Sequence, residues 1–394
     1  MPKVRLSLPV DSTFLSSVIY EGLLYLIPEH SKTFSLRDID FENDFLAKAF
    51  SQLEDDRIAN VRIVMAENDN INAKIFEKIG LALQSRKTFY DLLKMLKDNS
   101  NAIKLTKNID IELKINKKDI LIDLNKKGDG ISAPQLLKID RYTGFSSLET
   151  PYTSQQLTLY TSTEVALIAL LGIYSAFVVS TRQQQQNNYY FLFFSPDEVL
   201  KLLANGNKDL IKAYLQVKDK AREMLSEIIA RHYSHELLIA EVALNLEIRD
   251  LLKKENLDKV SLMLFKISPE GQTYKIYEIV PLEFFSDTRL DAISKYFRDQ
   301  ERLIETLREV VSPRSILLEA LASMNRKNRY AEAENILVAI QGLYRFVVLG
   351  DAQGFQEFMQ KLSEAVRKLE NSEDGRERRR AEEYRRFISK LSSA

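Results

Sequence analysis

YTSTEVALIALLGIYSAFVVSTRQQQQNNYYFLFFSPDEVLKLL, residues 160–203, combines an apolar helix, two apolar strands, a polar loop and a second capped helix. Thr161 with Glu164 three residues later has the spacing of a capping box and starts an apolar helix. The run 165–179 is interrupted by Gly172, Tyr174 and Ser175. At fifteen residues it is shorter than the roughly 20 needed to span a bilayer, so it reads as buried core. A strand is expected over 173–180, then a polar loop, Arg182-Gln183-Gln184-Gln185-Gln186-Asn187-Asn188, then a second strand over 189–194. Ser195-Pro196-Asp197-Glu198 opens a second helix, with Pro at its first position. Strands apolar at nearly every residue are covered on both faces, and an exposed Tyr-Tyr-Phe-Leu-Phe-Phe edge would aggregate. The polar tip is therefore the part of this unit left to meet a partner.

Outward from there, the patterning divides the chain. Towards the N-terminus, period-2 and period-3.6 segments alternate, predicting strands at 4–8, 61–65, 109–115 and 120–124 and helices at 12–26, 73–84 and 88–97. Ile109, Ile111, Leu113 and Ile115 alternate with Asp110, Glu112 and Lys114, and Ile120, Ile122 and Leu124 continue the pattern across a turn at 116–119. This predicts a half-buried antiparallel hairpin. Residues 197–254 read as mostly helical. A second hairpin follows, 260–268 and 273–282, turning at Pro269-Glu270-Gly271-Gln272, and from Phe284 the chain reads as helical to residue 394. The fold class expected is α+β: a mixed N-terminal and central α/β region with antiparallel hairpins, then a C-terminal helical bundle. Three domains follow, at 1–150, 151–283 and 284–394. The basic residues change with them, since 1–150 holds 16 Lys and 6 Arg and 284–394 holds 5 Lys and 15 Arg.

With 394 residues, 45% of them hydrophobic and 28% charged, the chain has the composition of a globular protein able to bury a real core. Lys plus Arg and Asp plus Glu number 56 each, so an anionic partner must meet a local patch rather than a global field. The absence of cysteine removes thiol nucleophiles, disulfides and thiolate metal sites together. Pro2-Lys3-Val4-Arg5 begins a strand-like alternation, and residues 1–30 hold no signal-peptide h-region. The expectation is a cytoplasmic protein with no membrane partner.

Catalytic constellations are sparse. His232 and His235, spaced i, i+3, would supply two metal ligands, but without a third and in the wrong order for zinc-protease motifs. Asp38, Asp40, Glu42 and Asp44 alternate and would line one face of an extended segment, as a metal-dependent nuclease requires. Asp40 is more simply read as the cap of a following helix carrying Phe45, Leu46 and Phe50. No nucleophile elbow, phosphate loop or dinucleotide fingerprint is present. No enzymatic activity, metal or cofactor is expected.

Three features suit nucleic acid. Lys126-Lys127-Gly128-Asp129-Gly130 combines two cations with two glycines that let backbone approach a phosphate, or it is a solvated turn. Gln183, Gln184, Gln185, Gln186, Asn187 and Asn188, with Arg182, can hydrogen-bond base edges or fill the space of a displaced pair. On the C-terminal helices Arg326, Lys327, Arg329, Arg379 and Arg380 can bind phosphate. There Arg378/Glu382, Arg379/Glu383 and Glu382/Arg386 are also spaced for pairing within one helix.

Lys138-Ile-Asp-Arg-Tyr142-Thr-Gly144, the apolar helix, the strand at 173–180 and Tyr-Tyr-Phe-Leu-Phe-Phe-Ser-Pro-Asp-Glu-Val-Leu at 189–200 together resemble the archaeal large subunit of subtype I-A CRISPR interference complexes. The similarity is concentrated in about residues 135–285. The cysteine-free centre departs from large subunits of neighbouring subtypes that carry a zinc ribbon. The resemblance implies a subunit without chemistry of its own, at one end of a guide-RNA ribonucleoprotein and bound to its backbone subunits. Such a subunit reads a short motif in double-stranded DNA, helps part the strands, and presents the target to a separate helicase and nuclease. By analogy Lys126, Lys127, Gly128 and Gly130 would contact the duplex, and Gln183 to Asn188 would flank the parting strands. The arginine-bearing end would contact displaced strand or neighbouring subunits. Two other readings stay open: a scaffold docking partners through Ile336, Leu337, Ile340, Leu343, Phe355, Phe358, Met359 and Leu362, and a nuclease built on residues 38–44.

Overall fold

The computed structural model describes residues 2–65, 77, 88–104, 108–116, 119–142, 158–183, 186–231, 236–271, 273–325, 327–370 and 372–394. In chain order its elements begin β1 (Lys3–Leu6), α1 (Phe14–His30), β2 (Ser31–Phe34), β3 (Asp38–Phe41), α2 (Phe45–Ser51), α3 (Asp55–Asn60) and α4 (Phe89–Asp98). Next come β4 (Ile109–Ile111), β5 (Leu113–Asn116), β6 (Asp119–Ile122), β7 (Ile131–Ser132) and β8 (Thr158–Thr161). The stretch from residue 160 gives α5 (Thr163–Ala176), β9 (Phe177–Gln183), β10 (Gln186–Phe194) and α6 (Pro196–Asn205). Helices α7 (Lys208–Ile229) and α8 (Glu236–Lys254) lead to the long strands β11 (Lys259–Glu270) and β12 (Thr273–Phe285). The remainder is α9 (Arg289–Ser294), α10 (Gln300–Val311), α11 (Ile316–Ser323), α12 (Ala333–Val347), α13 (Ala352–Glu370) and α14 (Gly375–Ser392). The fold is α+β. Two compact units divide it, residues 1–218 with 261–282 and residues 219–260 with 283–394. The first takes in all of the expected 1–150 region and much of 151–283, and the change from lysine to arginine lies beside the boundary after residue 282.

In the first unit the core forms around α1 and α5. Both helices are apolar on nearly every side, so both must be surrounded. They cross where Gly22 meets Gly172: a Cβ on Gly22 would overlap the Ile168 carbonyl, and one on Gly172 the Val18 carbonyl. A sheet in the order β12-β11-β10-β9 lies beside them. Phe14 of α1 stands edge-on to Phe191, Phe193 and Phe265 on one face of this sheet, at 5.3–5.9 Å between centroids. On the other face Phe194 meets Tyr214 of α7 at 6.2 Å. Covering both faces is what the uninterrupted apolar run of β10 requires.

Several boundaries depart from the sequence reading. The strand expected at 173–180 begins only at Phe177, because α5 continues through Ala176. Its N-cap is Ser162, whose hydroxyl accepts from the Val165 N–H, and not Thr161, which ends β8. Helix α1 runs past Pro28 to His30; burial of Leu26, Ile27 and His30 holds the last turn despite the missing N–H. Residues 61–65 form no strand, only an isolated bridge between Val64 and Thr88. The expected hairpin over 109–124 is divided between two sheets. β5 and β6 pair antiparallel, Leu113 facing Ile122, whereas β4 pairs in parallel with β1, Val4 facing Ile109. Ile115, paired with Ile120, is 68% exposed. The helix expected at 73–84 lies outside the described residues apart from Glu77. Asp44, not Asp40, stands at the N-cap of α2, in the left-handed region at φ 59°, while Asp40 belongs to β3. Thr88 and Asp91 form a reciprocal capping box at α4, and Ser195 accepts from Glu198 N at α6 as its sequence predicts.

His30 is buried at the end of α1, and burial, reinforced by Lys48, lowers its pKa below the ordinary 6.5. The unfolded chain therefore takes up that proton first. No penalty exists above the ordinary value; it grows as pH falls through it and stops growing below the folded pKa. Stability between about pH 7 and pH 5 should fall more steeply in the natural chain than in His30→Gln. Parallel urea midpoints against pH for the two would contradict this.

The second unit is helical. α12 and α13 form a close antiparallel hairpin in which Gly342 and Gly354 approach each other's backbone carbonyls. Arg345 closes the connection by bonding Asp351 and, at 2.9 Å, Glu357. Phe297, Phe346 and Phe355 form an aromatic cluster, Phe355 lying 5.1 Å from each of the others. Ile336, Ile340, Leu343, Phe358 and Leu362 are fully buried, so most of the apolar surface a scaffold would present is spent inside the unit.

Candidate nucleic-acid interface

The tip of the β9–β10 hairpin is narrower than a seven-residue loop. Gln183 pairs with Gln186, Arg182 with Asn187 and Thr181 with Asn188, so ladder hydrogen bonding continues almost to the turn. Gln184 and Gln185, which connect the strands, lie outside the described residues. Asn188 is not a surface residue: it is buried, and Ser268 Oγ of β11 donates to its carbonyl oxygen. A buried amide needs such a partner, and here β11 supplies it. Asn187 is half-buried and hydrogen-bonds the Tyr189 phenol, whose pKa is raised chiefly by burial. Arg182 and Gln186 remain exposed. Since facing residues share a side of the sheet, Arg182 lies on the Asn187 side and Gln186 on the other. Gln186 Nε2 donates to the hydroxyl of Tyr277 at 3.3 Å.

Tyr277 was not legible as a site residue. Thr-Tyr-Lys-Ile-Tyr-Glu-Ile-Val-Pro-Leu, residues 273–282, mixes apolar residues with one charge in each strand phase, Lys275 and Glu278, so neither phase is marked as the outward one. In the structure Tyr274 and Leu282 turn inward, and Lys275, Tyr277, Ile279 and Pro281 turn outward.

Residues 127–129 form a single 3-10 turn between β6 and β7. Lys126 is exposed and lies 3.8 Å from Asp129. Lys127 lies 3.8 Å from Asp119, and its ammonium sits 4.6 Å from the Tyr160 ring centroid. A hydrogen bond to Tyr160 holds its pKa above the ordinary value. Both lysines thus have only loose, solvent-screened carboxylate partners that a phosphate could displace. The two glycines differ. A Cβ on Gly128 would meet nothing, whereas one on Gly130 would collide with Leu124 and come within 2.7 Å of the Thr161 carbonyl. Gly128 is open to a ligand; Gly130 is a packing residue.

The C-terminal basic residues separate in the same way. Arg380 is buried, 2.6 Å from Glu332 and stacked 3.9 Å over Tyr330, with Tyr384 donating to the same carboxylate at 3.2 Å. It fixes α14 in the bundle and does not face solvent. Arg329 pairs with Glu334 at 2.9 Å, Lys327 is exposed, and Arg326 lies outside the described residues. The pairs made along α14 are Arg380–Glu377 and Arg386–Glu383, at i, i+3 rather than the expected i, i+4. Arg379 lines a cavity of about 1040 Å³ with Arg314 and Arg376, among Glu305, Glu309 and Glu319. Arg308, Arg386 and Lys390 also line it, with Glu247 and Glu383, so both signs of charge are interspersed there.

Along residues 38–44 three of the four carboxylates are engaged, and Asp44 makes no side-chain cap bond. Asp38 pairs with Lys3 at 2.8 Å, a contact that lowers its pKa; Asp40 accepts from Thr33 at 2.9 Å; Glu42 pairs with Lys48 at 2.8 Å. Among the described residues no group of three or more His, Cys, Asp or Glu could hold a metal ion. His232 and His235 lie outside them. No described helix is long and apolar enough to cross a membrane.

No family model matches the chain, and no solved structure matches it. An archaeal protein of Archaeoglobus fulgidus, described as an uncharacterized protein, is 52% identical to it over 394 residues, the whole of both chains. Identity at that level over the full length preserves the fold, and the chain belongs to the same family as this Archaeoglobus fulgidus protein.

Proposed function

We propose that the chain is the large subunit of a subtype I-A CRISPR guide-RNA surveillance complex. In this reading it catalyses nothing and works in the cytoplasm. It binds the ribonucleoprotein backbone, recognises a short motif beside the target in duplex DNA, helps to open the strands and recruits a helicase and nuclease. The observation that carries the reading is the β9–β10 hairpin: strands buried on both faces that end in an amide-rich tip with an exposed Gln186 and Arg182. A rigid stem with a polar point can occupy the space of a displaced base pair without folding on contact. Lys126, Lys127 and the open Gly128 supply a place for a duplex phosphate.

Replacing Gln183, Gln184, Gln185 and Gln186 together with alanine should slow opening of a duplex target by about 5- to 150-fold, the effect of losing roughly 1–3 kcal/mol of base contact. Binding to a pre-opened target should remain nearly unchanged. Strand separation reported by a fluorophore–quencher pair, beside equilibrium binding to both substrates, checks this. Equal losses on both would remove the wedge role.

A further inference from the structure

We infer that Tyr277 is a stacking platform for a nucleobase of single-stranded DNA, on the outward row of β12, the edge strand of the β12-β11-β10-β9 sheet. This deepens the proposed function, on which it rests, by naming the contact that would receive a base once strands part. Tyr277 lies on an edge strand and is 52% exposed, with the exposed Lys275 and Ile279 on either side of it in the same outward row. Gln186 Nε2 at the hairpin tip donates to its hydroxyl at 3.3 Å, a contact that favours one orientation of the ring. Orienting the ring in advance lowers the ordering cost of a stacked ligand. Lys275, two residues earlier on the same face, places its ammonium 6.0 Å from the ring centroid. Its carboxylate neighbour, Glu270, is 3.7 Å away and exposed, a weak competitor for a phosphate. Ile279, 44% exposed, extends the same row by one step.

An oriented aromatic face, an amide able to bond a base edge and a lysine within one residue's reach together match a single strand. Bases offer a π-face whatever their sequence, and the backbone offers charge. A protein partner would be expected to cover Ile279 and Pro281 as well, and it would not call for the lysine. The hairpin tip that proposes the wedge and the ring that would receive the base are thus joined by one hydrogen bond. A base displaced at Gln186 has an aromatic surface beside it.

The test uses the full chain alone and a single-stranded DNA oligonucleotide carrying one 2-aminopurine. Tyr277→Ala should weaken binding about 5- to 100-fold and abolish the quenching that stacking causes. Tyr277→Phe should stay within about threefold, since it keeps the ring and loses only the Gln186 bond. Tyr277→Ala should keep its thermal midpoint, because the ring is half in solvent. The inference is overturned if the natural chain does not bind or quench the oligonucleotide, or if Tyr277→Ala binds as well as the natural chain. It is equally overturned if Tyr277→Ala instead loses protein partners while single-strand binding persists. Membership of a guide-RNA complex is read separately, by the RNA that co-purifies, so the failure of one is distinguishable from the failure of the other.

Discussion

Lys218→Met should destabilise the first unit by about 3–5 kcal/mol, the cost of breaking a buried ion pair from one side. Lys218 on α7 and Glu21 on α1 are both fully buried, and the Lys218 ammonium bonds Glu21 Oε1 directly. Ser175 of α5 joins them: its hydroxyl donates to the same carboxylate oxygen and accepts from Lys218 at 3.0 Å. The ammonium also lies 5.3 Å from the Phe194 ring centroid. Three helices therefore meet around one ion pair in an apolar core, and Glu21 Oε2 has no hydrogen bond there. Methionine would leave the carboxylate buried and uncompensated. The thermal midpoint of this unit should fall by about 6–20 °C. Glu21→Leu with Lys218→Met removes both charges and should recover most of the loss, since an apolar replacement for a buried pair is often neutral. A single variant as stable as the natural chain, or a double variant no better than the single, would contradict the role given to this pair.

Gly172→Ala is the second large effect, and its sign is the reverse of the usual one. Alanine in place of glycine within an exposed helix stabilises by about 0.5–1 kcal/mol. At Gly172 the new Cβ would occupy the position of the Val18 carbonyl, and at Gly22 that of the Ile168 carbonyl. These are backbone atoms, so relief requires α1 and α5 to move apart along their whole contact. We expect destabilisation of about 2–3 kcal/mol or more for either substitution. Gly375→Ala, where a Cβ meets nothing, should stay within about 0.5 kcal/mol of the natural chain. Urea midpoints of the three variants decide the matter. Gly172→Ala unfolding together with Gly375→Ala would mean that the two helices cross with more room than the structure gives them.

Local signals in the sequence reached as far as local physics does. The apolar runs and capping residues of 160–203 predict a helix, two strands and a helix, and all four are present because each rests on neighbours in sequence. Ser195 at the N-cap is an example. Non-local pairing left no such mark. Ile109 to Ile111 alternate just as Leu113 to Ile115 do, yet the first trio pairs with Val4 and its neighbours about a hundred residues away. At the candidate site the same limit applies. Asn188 reads as part of a polar tip, but Ser268 across the sheet takes it into the core. Arg380 reads as one of a basic run until Glu332 is found beneath it. Tyr277 was hidden because neither phase of its strand is marked as the outward one, and only the position of the edge decides which ring is left in water.

Gentle purification of the chain from its own cells, with sequencing of bound RNA and mass spectrometry of bound protein, decides whether it belongs to a guide-RNA complex. Membership of a surveillance complex predicts repeat-derived guide RNA together with the subunits that coat it. A chain recovered alone, or with unrelated proteins and no RNA, would contradict the proposed function, whatever the Tyr277 and Gln183–Gln186 variants had done to binding of naked DNA.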